Sequence, residues 1–204
     1  MKSYKTEINP TPNQIELIHK TFGCTRYIYN QFVSENLENL ASNKDFVSAF
    51  DFSKRVNNDP NTPTWIKEVP SKAIKQAIIY ADRAFKDYFS KRRGKPKFKK
   101  KGSSESFYLA GTIKIERHRI FVPVLKWLRL KEFGYIPKDI SSVTISMKNG
   151  RYYISCLCKD NVDERIPLSD YNMGIDFGLK DQFITEDRII PSINKSSPVS
   201  YTHL

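Results

Sequence analysis

The chain has 204 residues, of which 39% are hydrophobic and 13% aromatic, a composition typical of a folded protein with a core and not of a disordered chain. Its formal net charge of +12 at pH 7 indicates a polyanionic partner, for which nucleic acid ranks ahead of an anionic membrane. No apolar run approaches the length that crosses a bilayer, and no signal peptide opens the chain, so we predict a cytoplasmic protein that makes no membrane contact.

The first forty residues predict a strand followed by two helices. Within residues 2–8, charged side chains alternate with side chains that suit a buried face, which is typical of a half-buried strand. Thr11, Pro12 and Gln14 have the spacing of an N-cap, a first helical residue and a capping box. Apolar residues then recur at helical spacing, and Gly23 divides them into two helices, the second of which begins at about Thr25.

The predicted corner at residues 23–30 has two interpretations. It is a DNA-reading helix-turn-helix, or it is an ordinary helical hairpin in which Tyr29 packs inside. The second helix is long and its apolar face is wide, which favours the hairpin. We expect Arg26 to contact a phosphate rather than to read a base.

The next part of the chain predicts further helix. Residues 41–64 indicate a short helix and then a loop rich in Asn and Pro, and Ser71 is predicted to cap a long helix. In that helix the apolar residues recur at helical spacing up to Phe89, while Asp82 and Lys86 are spaced for an i,i+4 ion pair.

This helix leads into a basic run, residues 91–101, in which eight of eleven residues are Lys or Arg and none is acidic. Gly94 and Pro96 argue against a continued helix, so we predict a basic loop or extended arm. Such runs are often only solvated surface, but here the cations can neutralise phosphates and Phe98 can stack on a base. The nucleic-acid-binding residues predicted for the chain are Arg26, Lys91, Arg92, Arg93, Lys95, Lys97, Phe98, Lys99, Lys100 and Lys101.

From Ser106 the period of the apolar residues changes to two, which predicts several short antiparallel strands. Asn149-Gly150 predicts the turn of the last hairpin. Cys156 and Cys158 fall on one face of its second strand, and we expect them to be buried free thiols in a reducing compartment. We therefore predict an α+β fold: a small antiparallel β-barrel that the N-terminal strand joins, with the helical block inserted after that strand.

After a polar linker, residues 173–181 predict a short buried strand that carries one carboxylate, Asp176, in its apolar run. A buried carboxylate is unfavourable unless it is paired or binds a metal ion. Two-metal cleavage of a phosphodiester requires several carboxylates around two Mg²⁺ or Mn²⁺ ions, which Asp176 cannot supply alone. Residues 183–185 and 188–190 predict the following hairpin.

Residues 198–204 follow no structural pattern and resemble the translation of an adapter used in shotgun DNA library preparation. We interpret them as an artefact of sequence assembly, and the chain as a fragment that is cut off at its C-terminus. The alternative is a genuine short tail.

Five segments together resemble the OrfB/TnpB proteins of bacterial insertion sequences: residues 22–30, 65–71, 81–89, 95–99 and 174–181. They occur in the family's order and at about its spacing. The resemblance implies an RNA-guided DNA endonuclease, related to the ancestors of type V CRISPR effectors, whose guide RNA comes from the end of the transposon. Its partners would be guide RNA and DNA.

The resemblance also implies an order of domains. A split β-barrel wedge domain at residues 1–10 and 106–165 would carry a helical recognition insertion at residues 11–105, which ends in the basic arm. A RuvC nuclease domain of RNase H-like fold would begin at residues 170–197.

The nuclease site that the resemblance implies is incomplete in this sequence. Asp176 matches the first catalytic carboxylate of the RuvC domain, and hence a ligand of Mg²⁺ or Mn²⁺. The family's later Glu and Asp and its C-x-x-C zinc ribbon do not occur here, so zinc is expected only in a missing C-terminal part. This polypeptide is therefore expected to bind nucleic acid without cleaving it.

Two functions compete at this point. The chain is the N-terminal part of an RNA-guided nuclease, or it is a non-catalytic basic nucleic-acid-binding protein that regulates a transposon, in which Asp176 is only structural. An in-frame downstream continuation with two more carboxylates and paired C-x-x-C motifs would favour the nuclease. A natural stop codon near Ser197 would favour the regulator.

Overall fold

The computed structural model describes residues 1–103, 105–159, 181–184 and 189–191, which belong to two compact units, Met1–Asp160 and Asn161–Leu204. The elements of the first unit are β1 (Lys2–Asn9), α1 (Pro12–Ala41), α2 (Ala49–Asn58), α3 (Thr64–Lys67), α4 (Ser71–Phe89), β2 (Ser106–Ala110), β3 (Lys114–Ile115), β4 (Arg119–Val122), β5 (Lys126–Leu130), β6 (Ile140–Lys148) and β7 (Arg151–Cys158). The predicted α+β class is confirmed. No helix in these described ranges is long and apolar enough to cross a membrane.

The seven strands of the first unit form one antiparallel sheet in the order β2-β6-β7-β1-β5-β4-β3. Strand β1 lies at its centre, paired with β7 from Lys2↔Cys158 to Ile8↔Tyr152 and with β5 at Ile8↔Leu130. Since helices α1–α4 lie between β1 and β2 in the chain, the helical block is inserted between two strands of one sheet that β6 and β7 separate.

The predicted barrel is not confirmed, because the sheet is open. Closure would require the two end strands to pair with each other. In the described residues β2 pairs with β6 and β3 pairs with β4, and no ladder joins β2 to β3. Strand β3 has only two residues, Lys114 and Ile115, and is too short to supply a closing ladder.

Helix α1 corrects the prediction of a corner at Gly23. The helix runs without a break from Pro12 to Ala41, so residues 23–30 form neither a helix-turn-helix nor a helical hairpin. A single Gly destabilises a helix by only about 1 kcal/mol relative to Ala. Burial of Phe22, Cys24 and Ile28, each at most 3% exposed, outweighs that cost.

The other helix predictions need smaller corrections. Thr11 is the N-cap of α1, and its N–H donates to Oε1 of Gln14 at 2.9 Å, as expected for the capping box. Ser71 is the first residue of α4 and not its cap, since Pro70 holds the cap position. Helix α3 was not predicted. The i,i+4 pair of α4 is confirmed, with Lys86 Nζ 2.7 Å from Asp82 Oδ2.

Two hydrophobic clusters meet along α1. The sheet cluster packs one face of the sheet against the first half of α1, including Ile18 and Phe22. The helical cluster packs the second half of α1 against α2, α3 and α4, with Phe32 and Phe85 at its centre. Leu17 contacts both clusters, so α1 connects the sheet to the inserted helices.

The hairpin between β6 and β7 is confirmed. Asn149 and Gly150 both have positive φ, 51° and 73°, which a two-residue turn between twisted strands requires. Cys156 and Cys158 are buried and are not joined in a disulfide, and burial raises the pKa of Cys156 to about 12, so this thiol stays protonated at neutral pH.

In the second unit β8 (Asp181–Ile184) and β9 (Ile189–Pro191) form an antiparallel pair in which Ile184 lies opposite Ile189. The predicted hairpin is therefore confirmed at its paired residues. Asp176 lies outside the described residues, so its role as a metal ligand stays a prediction.

Candidate nucleic-acid interface

The basic arm, residues 91–101, begins where α4 ends. Backbone N–H groups of Arg92 and Arg93 donate to the carbonyl of Asp87 at 2.9 and 3.1 Å, and Lys91 takes the left-handed conformation with φ 59°. These contacts turn the chain away from the helix axis. The two Arg side chains lie 3.4 and 3.9 Å from the Asp87 carboxylate but are 71% and 81% exposed. Surface ion pairs this open contribute little stability, so both guanidinium groups remain available to a phosphate.

Asn30 of α1 holds the far end of the basic arm. Its Nδ2 donates to the carbonyl of Lys99 at 3.0 Å, and the N–H of Lys99 donates to its Oδ1 at 2.8 Å. One side chain therefore satisfies both backbone groups of one arm residue, as a neighbouring strand would. The arm is fixed across α1 at this point.

Lys99 packs on α1 with its side chain as well. Its ammonium lies 4.4 Å from the centre of the Tyr29 ring, which is a cation–π contact. Tyr29 is buried, as the sequence predicted. Desolvation in this position lowers the pKa of Lys99, because removal of water disfavours the charged form. Lys99 is therefore both a cation of the arm and part of its attachment.

The lysines of the arm, Lys99 included, are exposed to solvent. Lys95, Lys97, Lys100 and Lys101 are exposed, while Pro96 is buried. Phe98 is 52% exposed, so its ring is accessible to a base that could stack on it. The arm thus presents lysine side chains and one open aromatic ring on the same stretch of backbone.

Arg26 lies beside the arm and is paired with an acidic residue. Its Nη1 is 3.0 Å from Oε1 of Glu105, which also accepts from the N–H of Gly102 at 3.2 Å. A small pocket joins Arg26 to Lys99 and Lys100. The structure thus brings Arg26 next to the arm, but Glu105 competes with a phosphate for its guanidinium.

Sequence reasoning missed Asn30, Glu105 and Asp87 as partners of the predicted site. The i, i+3, i+4 spacing of Arg26, Tyr29 and Asn30 places them on one face of α1, and that signal could have identified Asn30. Glu105 could not have been found in this way, because it is 79 residues from Arg26.

Metal-binding groups are not assembled in the described ranges. Within them no three His, Cys, Asp or Glu residues come together in a way that could hold a metal ion. The predicted Mg²⁺ or Mn²⁺ ligand, Asp176, lies outside these ranges, and its fit to a metal ion stays a prediction.

We expect Asn30→Ala to free the arm for proteolysis. Two hydrogen bonds are worth about 0.5–1.5 kcal/mol each, and about 1.4 kcal/mol corresponds to a factor of ten in the population of an opened state. Limited trypsin digestion should therefore cleave after Lys99 about tenfold faster. Ser34→Ala is the control, because it removes a hydrogen bond from the same helix, to Glu38 at 3.0 Å, without touching the arm. Equal cleavage rates in both variants would contradict the anchoring role.

Residues 1–45 match the family model described as "Helix-turn-helix domain" of OrfB proteins. In this structure the matched residues form β1, the uninterrupted α1 and the turn after it. The name of the family model therefore agrees with a nucleic-acid-binding class, while the described helix has no turn at Gly23.

Curated relatives match most of the chain. It is 27% identical over 183 residues to "Putative RNA-guided DNA endonuclease InsQ" of Escherichia coli (strain K12), which covers 88% of this chain and 46% of the relative. It is 26% identical over 189 residues to "Putative RNA-guided DNA endonuclease" of Streptomyces pristinaespiralis, with 87% and 46% covered. A shorter match, 29% over 99 residues, is to "Virulence protein VsdF" of Salmonella dublin. The chain spans about half the length of the two endonuclease relatives.

Proposed function

Because the chain belongs to the OrfB/TnpB family of insertion-sequence proteins, we propose that it is the N-terminal, nucleic-acid-holding part of an RNA-guided DNA endonuclease. The observation that supports this most is the basic arm: eight cations without an acidic residue, attached to α1 through Asn30 and Tyr29. A solvated charged loop would need no such attachment. An attached arm loses less conformational entropy when it binds a polyanion.

The arm would contact guide RNA and DNA mainly through their backbones. Lysines are point charges that neutralise phosphates and release counterions, which is recognition without sequence. The exposed ring of Phe98 would add stacking on an unpaired base. In this proposal base pairing between guide and target carries the sequence information, and the chain holds the strands.

Asp176 is the residue that we propose as the first metal-binding carboxylate of the nuclease. The proposal is supported by its position in the apolar run Gly-Ile-Asp-Phe-Gly, where a lone carboxylate is unfavourable without a partner. Mg²⁺ or Mn²⁺, when bound, would polarise the phosphodiester and activate water. The other carboxylates and any zinc site would come from sequence beyond this chain.

The proposed function is tested in the full gene product that carries this chain, supplied with RNA from the end of its own element. We expect Mg²⁺-dependent cleavage of a DNA target that matches the guide, and we expect Asp176→Asn to abolish cleavage while RNA affinity stays within about twofold of the parent. A matched control is Asp181→Asn, which changes a second carboxylate nearby. A product that binds the RNA but never cuts would support a regulator instead, and a chain that binds no nucleic acid would exclude both.

A further inference from the structure

Strands β4 and β5 carry a second basic and aromatic surface, made of residues that do not belong to the arm. Arg119 lies opposite Arg129 and Phe121 lies opposite Trp127. The alternate residues of the same strands, among them Ile120 and Leu128, are fully buried in the sheet cluster. Since side chains alternate between faces, these two Arg and two aromatic residues share the outer face. We call these four residues the β4–β5 face.

Two arginines directly opposite each other on neighbouring strands destabilise the fold when no ligand is bound, because like charges in a cross-strand pair repel. Glu116 compensates Arg119 in part, with Oε2 2.6 Å from its Nε. Arg129 is exposed and has no ion pair in the described part of the chain. From Lys114 to Lys131 there are six Lys or Arg and one acidic residue, a net charge of +5. A bound polyanion would relieve this repulsion.

The aromatic residues of the β4–β5 face are already arranged for stacking. The Arg119 guanidinium lies 4.4 Å from the centre of the Trp127 ring, and the Phe121 ring meets Trp127 edge-on at 5.6 Å. A guanidinium that covers an aromatic ring offers its own outer plane to a base. A nucleobase stacked on the outer plane of the Arg119 guanidinium would form a third layer above Trp127 and Arg119.

The loop after β5 enlarges the surface with a more exposed ring. Phe133 is 44% exposed, packs edge-on against His118 at 4.1 Å, and has the Arg117 guanidinium 5.6 Å from its centre. The turn before β4 and the loop after β5 therefore repeat the combination of cation and open aromatic ring. Arg117 precedes Arg119 by two residues, so each of the two combinations could take one nucleotide of the same strand.

The geometry points to a binding site for single-stranded nucleic acid on the β4–β5 face, continued by Arg117 and Phe133. The inference rests on the proposed function for the class of ligand, and adds a site that shares no residue with the arm. A sheet surface with rings and cations suits unpaired bases, whose faces are open to stacking. A duplex hides those faces, so it would contact this surface only through its phosphates.

The first test uses labelled single strands of about twelve nucleotides, oligo(U) RNA and oligo(dT) DNA, and a duplex of the same length. We expect R119Q/R129Q to weaken binding of single strands about tenfold, while the affinity for the duplex changes less than about threefold. For single strands, the magnitude of the slope of log K against log salt should fall by about 1.4, because two phosphate contacts are lost. Comparison of oligo(U) with oligo(dT) shows whether the β4–β5 face prefers RNA or DNA. The unfolding temperature should change little, because the variant removes a repulsive pair together with the exposed contacts of Arg119 with Glu116 and Trp127.

The second test uses tryptophan fluorescence, since Trp65 and Trp127 are the two tryptophans of the chain. In W65F only Trp127 emits, and we expect its emission to change on saturation with oligo(U). In W127F only Trp65 emits, and its emission should stay constant, because Trp65 packs in the helical cluster.

The outcomes separate this inference from the proposed function. If the parent chain binds strands but R119Q/R129Q binds them equally well, or if the emission of Trp127 is unchanged, the β4–β5 face is not a binding site. If R119Q/R129Q loses affinity for single strands and for the duplex equally, the inference is also overturned, because the effect would come from net charge alone. If the parent chain binds no nucleic acid, the proposed function fails as well.

Discussion

Replacement of Lys97, Lys99, Lys100 and Lys101 by Ala is expected to weaken binding of the chain to RNA and DNA about a hundredfold or more at low salt. Each phosphate contact contributes roughly 0.7–0.9 to the magnitude of the slope of log K against log salt, so loss of three contacts should reduce that magnitude by about two to three units. Lys97, Lys100 and Lys101 are exposed and should account for most of this change. Lys99 already packs on Tyr29 and should act mainly through the position of the arm. Affinity is measured by fluorescence anisotropy across a salt series.

The matched control removes the same charge from another surface. Lys54, Lys67, Lys72 and Lys75 are exposed on or near the inserted helices, and their replacement by Ala should lower affinity by less than about tenfold. An equal loss of affinity in the two variants, each of which lacks four lysines, would mean that only net charge matters. An unchanged affinity in the arm variant would remove the arm from the interface altogether.

Phe32→Ala is expected to lower the free energy of unfolding by about 3–5 kcal/mol, the range for large aromatic residues truncated in a core. Phe32 is fully buried in the helical cluster, and its ring lies 5.2, 6.0 and 6.1 Å from the rings of Phe52, Phe46 and Phe85. Ala would leave a cavity and break three edge-on contacts at once. Urea unfolding followed by circular dichroism measures the change.

Phe50 is the control for that variant. It lies on α2 next to the same cluster but is 76% exposed, so Phe50→Ala should change stability by less than about 0.5 kcal/mol. A loss below about 1 kcal/mol for Phe32→Ala would mean that the cluster can close around the cavity. Since α1 carries both Phe32 and the anchor Asn30, the Phe32 variant should also increase cleavage of the arm.

Local patterns were reliable where a few adjacent residues determine the backbone. Asn149-Gly150 correctly predicted a hairpin turn, because both positions need positive φ, which these residues tolerate. Thr11, Pro12 and Gln14 correctly predicted the start of α1. The alternation of apolar residues located the paired strands, since a period of two reflects one buried face.

Gly23 shows where local patterns fail. A Gly between two amphipathic segments predicts a break, but its cost of about 1 kcal/mol is small beside the burial of the residues on either side. The barrel prediction failed for a similar reason. Strand pairs can be predicted from periodicity, but closure depends on the length and position of the last strand, β3, which has two residues.

The sequence by itself determined the α+β class, most of the strands and helices, the basic arm and the family resemblance, because each depends on composition or on residues close together in the chain. Only the tertiary structure decided that Asn30 holds Lys99 from 69 residues away and that Glu105 occupies Arg26 from 79 residues away. It also placed Arg119 opposite Arg129. The contacts of Asn30 and Glu105 depend on how α1 packs against distant parts of the chain, which leaves no periodic signal in the sequence. The arginine pair depends on the register of β4 and β5.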